Sequence, residues 1–368
     1  MRIFHINCNY IGTALHRIMV NNLAKLGYDN QVYVPTYDKN LSVIEIDENV
    51  CVSECFKKWD RLVFDYKQAK IYNDVVSKFN LSDFDCIHAY TLFTDGNCAR
   101  KLSAKYGVPY VVAVRNTDVN AFFRTMPHLR SRGVAVMRDA QAVFFLSEAY
   151  RNEVFSKYVP EKYRDELLQK TFIIPNGIDD FWLENAPETV DSKGIQQDVK
   201  LVYAGRIDKN KNIRTTQKAM DILKKRGYSI SLTVVGKVAD KSEFEAIVKD
   251  ELTNYIPNQK KEGLLQIYRD HDIFVMPSFT ESFGLVYAEA MSQGLPIVYS
   301  KGQGFDGHFA DGSVGYRVDS HSAEEVADAI EKIIRNYRTV SSKTVAAAHK
   351  FNWSQIVREY DEIYKRIK

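Results

Sequence analysis

Short apolar runs and longer amphipathic stretches alternate along the chain. Ile3–Ile6, Gln31–Val34, Cys86–Ala89, Tyr110–Val114, Ala142–Leu146 and Thr171–Ile174 are rich in β-branched and aromatic residues and predict strands. Lys200–Ala204, Ser231–Val235, Ile273–Met276, Pro296–Tyr299 and Gly315–Val318 predict strands in the second half. Helical spacing marks Ala14–Leu26, Asp95–Lys105, Thr215–Arg226, Lys241–Leu252 and Glu324–Arg335 between them. Such alternation implies right-handed crossovers and parallel sheets. The strands are nearly continuous apolar runs, as expected when helices cover both faces of a sheet. Residues 184–198 (ENAPETVDSKGIQQD) break the pattern: they are polar, carry Pro and Gly, and predict a linker. The expected fold class is therefore α/β, with two doubly wound, Rossmann-like domains (1–183 and 199–350) facing across a cleft. Ligands of such sheets bind outside the carboxyl ends of the strands.

A length of 368 residues suits two domains, and 45% hydrophobic with 26% charged residues excludes a disordered chain. The charge balance of 50 − 47 = +3 is too mild for a nucleic-acid partner, which needs a clustered basic face. Cys8, Cys51, Cys55, Cys86 and Cys98 are odd in number and lack partners at zinc spacing, so they read as reduced thiols of a cytoplasmic protein. The opening Met1–Ile6 reads as a strand rather than a leader, and no apolar run approaches the roughly 18 residues of a membrane span. Two stretches mix cations with aromatics. Phe56–Tyr72 carries Lys57, Lys58, Arg61, Lys67 and Lys70 beside Trp59, Phe64 and Tyr66; Val119–Arg138 carries four Arg with Phe122, Phe123 and Met126. They raise the expectation of peripheral contact with an anionic membrane surface.

The densest chemistry lies in residues 271–300. A strand ends at Pro277-Ser278, passes through Phe279-Thr280-Glu281-Ser282-Phe283-Gly284 and enters a helix near Leu285, which Gly294-Leu295-Pro296 stops. The start of that helix offers backbone N–H groups and a positive dipole end, a seat for an anion, and Gly284 allows close approach of a ligand. Glu281 precedes the helix and Glu289 lies about a turn inside it; two carboxylates there suit the hydroxyls of a sugar and a ribose. Ala204-Gly205-Arg206-Ile207-Asp208-Lys209-Asn210-Lys211-Asn212 follows another strand, and a Gly, a planar Arg and a Lys on one short loop suit a diphosphate.

Together, Arg206…Lys211, Pro277-Ser278…Glu281-Ser282-Phe283-Gly284…Glu289-Ala290…Gly294-Leu295-Pro296 and the junction Pro175-Asn176-Gly177-Ile178-Asp179 closely resemble the retaining family-4 glycosyltransferases of GT-B fold. Phe351-Asn352-Trp353 and the stretch to Lys368 are similar to that family's C-terminal helix, which crosses back onto the first domain. The resemblance implies a nucleotide-diphospho-sugar donor, by family frequency a UDP-sugar, with no cofactor or metal. It implies an acceptor bound by the first domain, a cell-surface glycan that is lipid-linked if the membrane expectation holds. Arg206, Lys211, Gly284 and Leu285 would hold the diphosphate, and Gly12 and Thr13 match, loosely, the family's glycine-containing loop beside it. Glu281, Ser282, Phe283 and Gly284 would line the transferred sugar, with Asn116 and Asp118. Glu289 would hold the ribose, and Ile256 and Pro257 the base.

One departure stands out. The family often carries a His after the strand matching Tyr110–Val114, where this chain has Arg115-Asn116-Thr117-Asp118. Arg is not a base. The resemblance implies transfer on one face, with the leaving phosphate taking the acceptor proton, so Arg115 remains a candidate catalytic residue as a stabiliser of charge. The alternatives are a non-catalytic partner subunit of similar fold and a sugar-nucleotide epimerase. Asp118 reads equally well as the cap of a helix beginning at Val119. His88 reads as a structural histidine at the edge of the core.

Overall fold

The computed structural model describes residues 1–188 and 198–367. The chain forms two compact units: Met1–Asn176 together with the segment from Trp353, and Gly177–Asn352. The expected linker 184–198 lies largely outside the described residues. The division falls at Asn176/Gly177 rather than after residue 183, because the short helix Asp180–Glu184 packs within the second unit. There Trp182 is buried against Tyr268, and its carbonyl accepts from the Gln293 amide at 3.1 Å.

Unit 1 holds a seven-stranded sheet of β1 (Arg2–Ile6), β2 (Asp29–Thr36), β3 (Val50–Glu54), β4 (Cys86–Ala89), β5 (Tyr110–Val114), β6 (Ala142–Phe145) and β7 (Thr171–Ile173), in the order β3-β2-β1-β4-β5-β6-β7. Unit 2 holds a six-stranded sheet of β8 (Asp198–Ala204), β9 (Ser229–Gly236), β10 (Thr253–Pro257), β11 (Ile273–Met276), β12 (Ile297–Ser300) and β13 (Gly315–Val318), in the order β10-β9-β8-β11-β12-β13. Every pairing between these strands is parallel, so both units are Rossmann-like α/β sheets.

The two-residue side-chain period of a strand splits the unit 1 core into two faces. Phe4, Ile6, Ile87, Val112 and Val114 join Phe93, Phe123 and Val136 on one face. Ile3, Cys86, Val111, Ala113 and Phe144 turn to the other, where the helix Ala14–Lys25 and the C-terminal helix Trp353–Ile367 cover them with Met19, Leu23, Trp353, Ile356, Tyr360 and Tyr364. His88 is fully buried on that side, stacked on Tyr90 at 4.3 Å between ring centroids and hydrogen-bonded through Nδ1 to the Tyr364 hydroxyl.

Candidate functional site

In unit 2, β8 delivers the loop Gly205–Asn212 and β11 delivers Pro277–Gly284, neighbouring strands of one sheet whose carboxyl ends point the same way. The two loops are stitched directly. Asn210 receives the Thr280 N–H at 3.1 Å and donates to the Thr280 carbonyl at 2.8 Å, while the Phe279 N–H reaches the Asn210 carbonyl at 2.9 Å. Asn212 donates to the Pro277 carbonyl at 2.9 Å and the Ser320 carbonyl at 2.6 Å. It is held at φ 57°, a left-handed conformation that asparagine tolerates better than most residues.

This stitching brings Lys211 and Glu281 together. Lys211 Nζ lies 2.6 Å from Glu281 Oε2, with both side chains mostly buried. Ser278 Oγ donates to the same oxygen at 3.3 Å, and the Ser282 N–H donates to Glu281 Oε1 at 3.1 Å. The Glu281 N–H is in turn taken by Gln303 Oε1 at 3.0 Å. Gly304 makes that loop possible, since a Cβ there would lie 1.8 Å from the Ser282 carbonyl oxygen. Gly284 sits at φ 80° and begins the helix Leu285–Ser292, whose start no side chain caps. A lysine, a carboxylate and an uncapped helix start are thereby gathered on one loop pair. The arrangement offers positive charge and donors to an anion, and a carboxylate to hydroxyls.

Arg206 is 65% exposed at its side chain and leans on Asp208 at 2.6 Å; Asp208 also accepts the Lys211 N–H at 3.2 Å. Phe283 contributes only backbone, because its ring is buried against Phe305, His308 and Phe351. Glu289 lies in the helix Leu285–Ser292, and desolvation pushes its carboxyl up to about 7, with the charge of Asp179 adding and that of Lys261 opposing. Ile256 and Pro257 end the edge strand β10, paired with Val235 and Gly236 of β9.

In unit 1, Gly12 closes a 3-10 turn with open space around it, and Thr13 caps the helix Ala14–Lys25 by accepting the Leu15 N–H at 3.2 Å. Arg115 follows β5; its guanidinium donates to the Tyr90 carbonyl at 3.3 Å and to Asn176 Oδ1 at 3.1 Å. Asn116 Oδ1 accepts from the Asn120 amide. Asp118 differs from expectation. It is 1% exposed, and its carboxylate takes the N–H groups of Leu92 (3.0 Å), Phe93 (3.2 Å) and Arg115 (2.9 Å). It therefore neither lines a sugar nor caps a helix start at Val119; three loop amides, two of them buried, need an acceptor, and Asp118 supplies it. Desolvation raises its carboxyl to about 6 despite those bonds. His16 lies nearby, buried, and is pushed down to about 3 by desolvation and by the Arg115 charge.

Asn210, Asn212 and Ser278 stand inside the motifs read from the sequence but carry no role there, and Gln303 and Gly304 escaped that reading altogether. The only sequence signal for the two asparagines is their place within the basic loop.

The description "Glycosyl transferases group 1" matches residues 186–350, and "Glycosyltransferase Family 4" matches residues 17–180. The chain is 29% identical over 304 residues to a D-inositol 3-phosphate glycosyltransferase of Paenarthrobacter aurescens, covering 77% of this chain and 72% of that relative. Among solved structures it is similar to sucrose-phosphate synthase from Thermosynechococcus elongatus (TM-score 0.76, 18% identity, 100% and 99% of the two chains). It is also similar to Anabaena HepE in complex with UDP and glucose (TM-score 0.68, 18% identity, 100% of both chains). At these identities the structural likeness carries the fold.

Proposed function

The chain is a GT-B glycosyltransferase of the family-4 type, and from that premise we propose that it transfers a hexose or N-acetylhexosamine from a UDP-sugar, with retention, to a hydroxyl of a cell-envelope glycan. The observation that carries this reading is the Lys211–Glu281 pair beside the uncapped start of the helix Leu285–Ser292. Lys211, the exposed Arg206 and the helix start neutralise the diphosphate without calling on a metal ion. Glu281 accepts from hydroxyls of the transferred sugar, and Glu289 from the ribose. The bond from the sugar C1 to the β-phosphate oxygen breaks, and the bond to the acceptor oxygen forms on the same face. The acceptor proton passes to the leaving UDP, so no protein base is required and Arg115 is compatible with the chemistry.

A second acceptor class, a phosphorylated polyol, is favoured by the relative named for D-inositol 3-phosphate. A donor panel decides both questions: UDP-glucose, UDP-galactose, the two UDP-N-acetylhexosamines and GDP-mannose, each with an envelope-glycan extract or with inositol 3-phosphate. The expected result is UDP release from one donor only with the glycan, an axial-to-axial outcome by NMR, and loss of about 10²–10³ in rate in Lys211→Ala and Glu281→Ala. Inositol 3-phosphate as the productive acceptor selects the second class. Unchanged turnover in both variants overturns the site.

A further inference from the structure

The stretch 57–66 of unit 1 turns apolar side chains outward. It comprises a 3-10 turn (Lys58–Leu62), Val63 and the start of the helix Phe64–Lys78. Trp59 is 77% exposed, Leu62 79%, Val63 58% and Tyr66 54%. The segment is firmly seated from beneath. Phe64 meets Phe122 edge-on at 5.9 Å, and the Asp60 carboxylate accepts the Lys57 N–H at 2.7 Å and Lys70 Nζ at 2.6 Å. Trp59 and Leu62, three apart in a 3-10 turn, share a face. Four large apolar side chains within eight residues of an ordered segment mark an interaction surface rather than scattered exposure.

Charge decides what the surface meets. Both acids of the stretch are already engaged, Asp60 by Lys70 and Asp65 by Arg132. Lys57, Lys58 and Arg61 are exposed and stand in no ion pair among the described residues. The Arg61 guanidinium lies 5.8 Å over the Tyr37 ring, and an exposed apolar stretch interspersed with cations that pair with no carboxylate is complementary to anionic headgroups over hydrocarbon, a boundary that Trp and Tyr favour. The other basic stretch does not share these features. Phe123 is buried, Phe122 and Met126 pack on the core, Arg124 pairs with Glu153, Arg138 pairs with Glu166, and Arg130 donates to the Phe123 carbonyl at 2.7 Å.

We propose that residues 57–66 are a bilayer-docking surface, in which Trp59, Leu62, Val63 and Tyr66 enter the interface of an anionic phospholipid membrane and Lys57, Lys58 and Arg61 bind its headgroups. Docking of this kind places the enzyme where a lipid-linked acceptor would be found.

The protein carries its own probe. Of its three tryptophans, Trp182 and Trp353 are buried, so a shift of emission on adding vesicles reports Trp59. The full chain is mixed, without donor or acceptor, with phosphatidylglycerol vesicles and, separately, with phosphatidylcholine vesicles. The expected result is a blue shift and co-sedimentation with phosphatidylglycerol only, abolished at about 1 M salt, where the Debye length is about 3 Å. Each neutralised cation, as in Lys57→Gln or Arg61→Gln, is expected to weaken binding about fivefold. Leu62→Ser with Val63→Ser is expected to abolish the shift while leaving the melting temperature and transfer to a water-soluble acceptor intact. No shift at low salt, equal binding to both vesicles, or full binding by the Ser variant overturns the proposal. So does self-association without vesicles that the Ser variant dissolves, since a second copy would then own the face. Because no sugar donor is present, failure here leaves the transferase reading standing.

Discussion

Glu281 and Glu289 are eight positions apart and live under different electrostatic rules. Glu281 has its cation at 2.6 Å, so its charge is answered within the protein. Glu289 sits on the helix with no ion pair among the described residues, and desolvation raises it to about 7, Asp179 adding to the effect. Its folded-state value therefore lies above its unfolded value, so the folded protein keeps a proton that the unfolded chain releases. Stability contributed by the protonated form is present at low pH and is lost as pH rises from the ordinary glutamate value to about 7. Under the proposed role of Glu289 at the ribose, ligand binding would run the other way, because hydroxyls donate to the ionised carboxylate. The donor KM is expected to fall about tenfold between pH 6 and pH 8, following the ionised fraction. In Glu289→Gln the profile should be flat, with KM raised throughout. A wild-type KM independent of pH across this range would remove Glu289 from the ribose.

At the scale of elements, the site is two loops held by two asparagines. Asn212 has two jobs: it takes a left-handed φ of 57° and it donates to the carbonyls of Pro277 and Ser320. The two are separable. Asn212→Gly keeps the backbone and loses the bonds; Asn212→Ala loses both. The Ala variant is expected to cost about 2–4 kcal/mol in unit 2 and the Gly variant about 1–2 kcal/mol, read by denaturant melts. In both, kcat should fall while KM for the donor changes less, because the Lys211–Glu281 geometry loosens. Equal stability of the two variants would show that the φ at this position costs nothing.

The same scale shows what the amino-acid pattern could and could not reveal. The central strands β1, β4, β5, β6, β8 and β11 are legible because burial on both faces demands unbroken apolar runs. Two of the four edge strands, β3 (VCVSE) and β10 (TNYIP), are not, since polar residues interrupt their short apolar runs, whereas the edge strands β7 and β13 are legible. Lys211, Glu281 and Gly284 stand out by residue type at a strand end. Gln303, which binds the Glu281 N–H, is twenty-two residues away in sequence, and only the packing of Gly304 on Ser282 brings its loop there. Asp118 misled because its carboxylate serves amides of another loop, Leu92 and Phe93, which no local pattern announces.

Over the whole molecule, the chain leaves unit 1 after Asn176, builds unit 2, and returns at Trp353. Ile178 donates to the Phe351 carbonyl at 2.9 Å and bridges Asn352, so the outgoing and returning strands run side by side where they enter unit 2. The C-terminal helix is thus remote in sequence from the core it completes. Ile356, Val357, Tyr360 and Tyr364 are buried with Met19, Leu23, Tyr28 and Val111, all of unit 1. Full burial of each such side chain is worth roughly 1.5–3 kcal/mol. Their sum is comparable to the entire stability of an ordinary domain, about 5–15 kcal/mol. Unit 1 therefore depends on the last residues of the chain, whereas unit 2 is closed before they are reached. Ile356→Ala is expected to destabilise by about 2–5 kcal/mol through the cavity it leaves. Hydrogen exchange should show that loss in peptides from residues 1–176 and 353–367, with peptides from 198–352 protected as in the unsubstituted chain. Equal loss of protection in both units would mean that they unfold as one cooperative body, and that the helix supports the whole enzyme rather than unit 1.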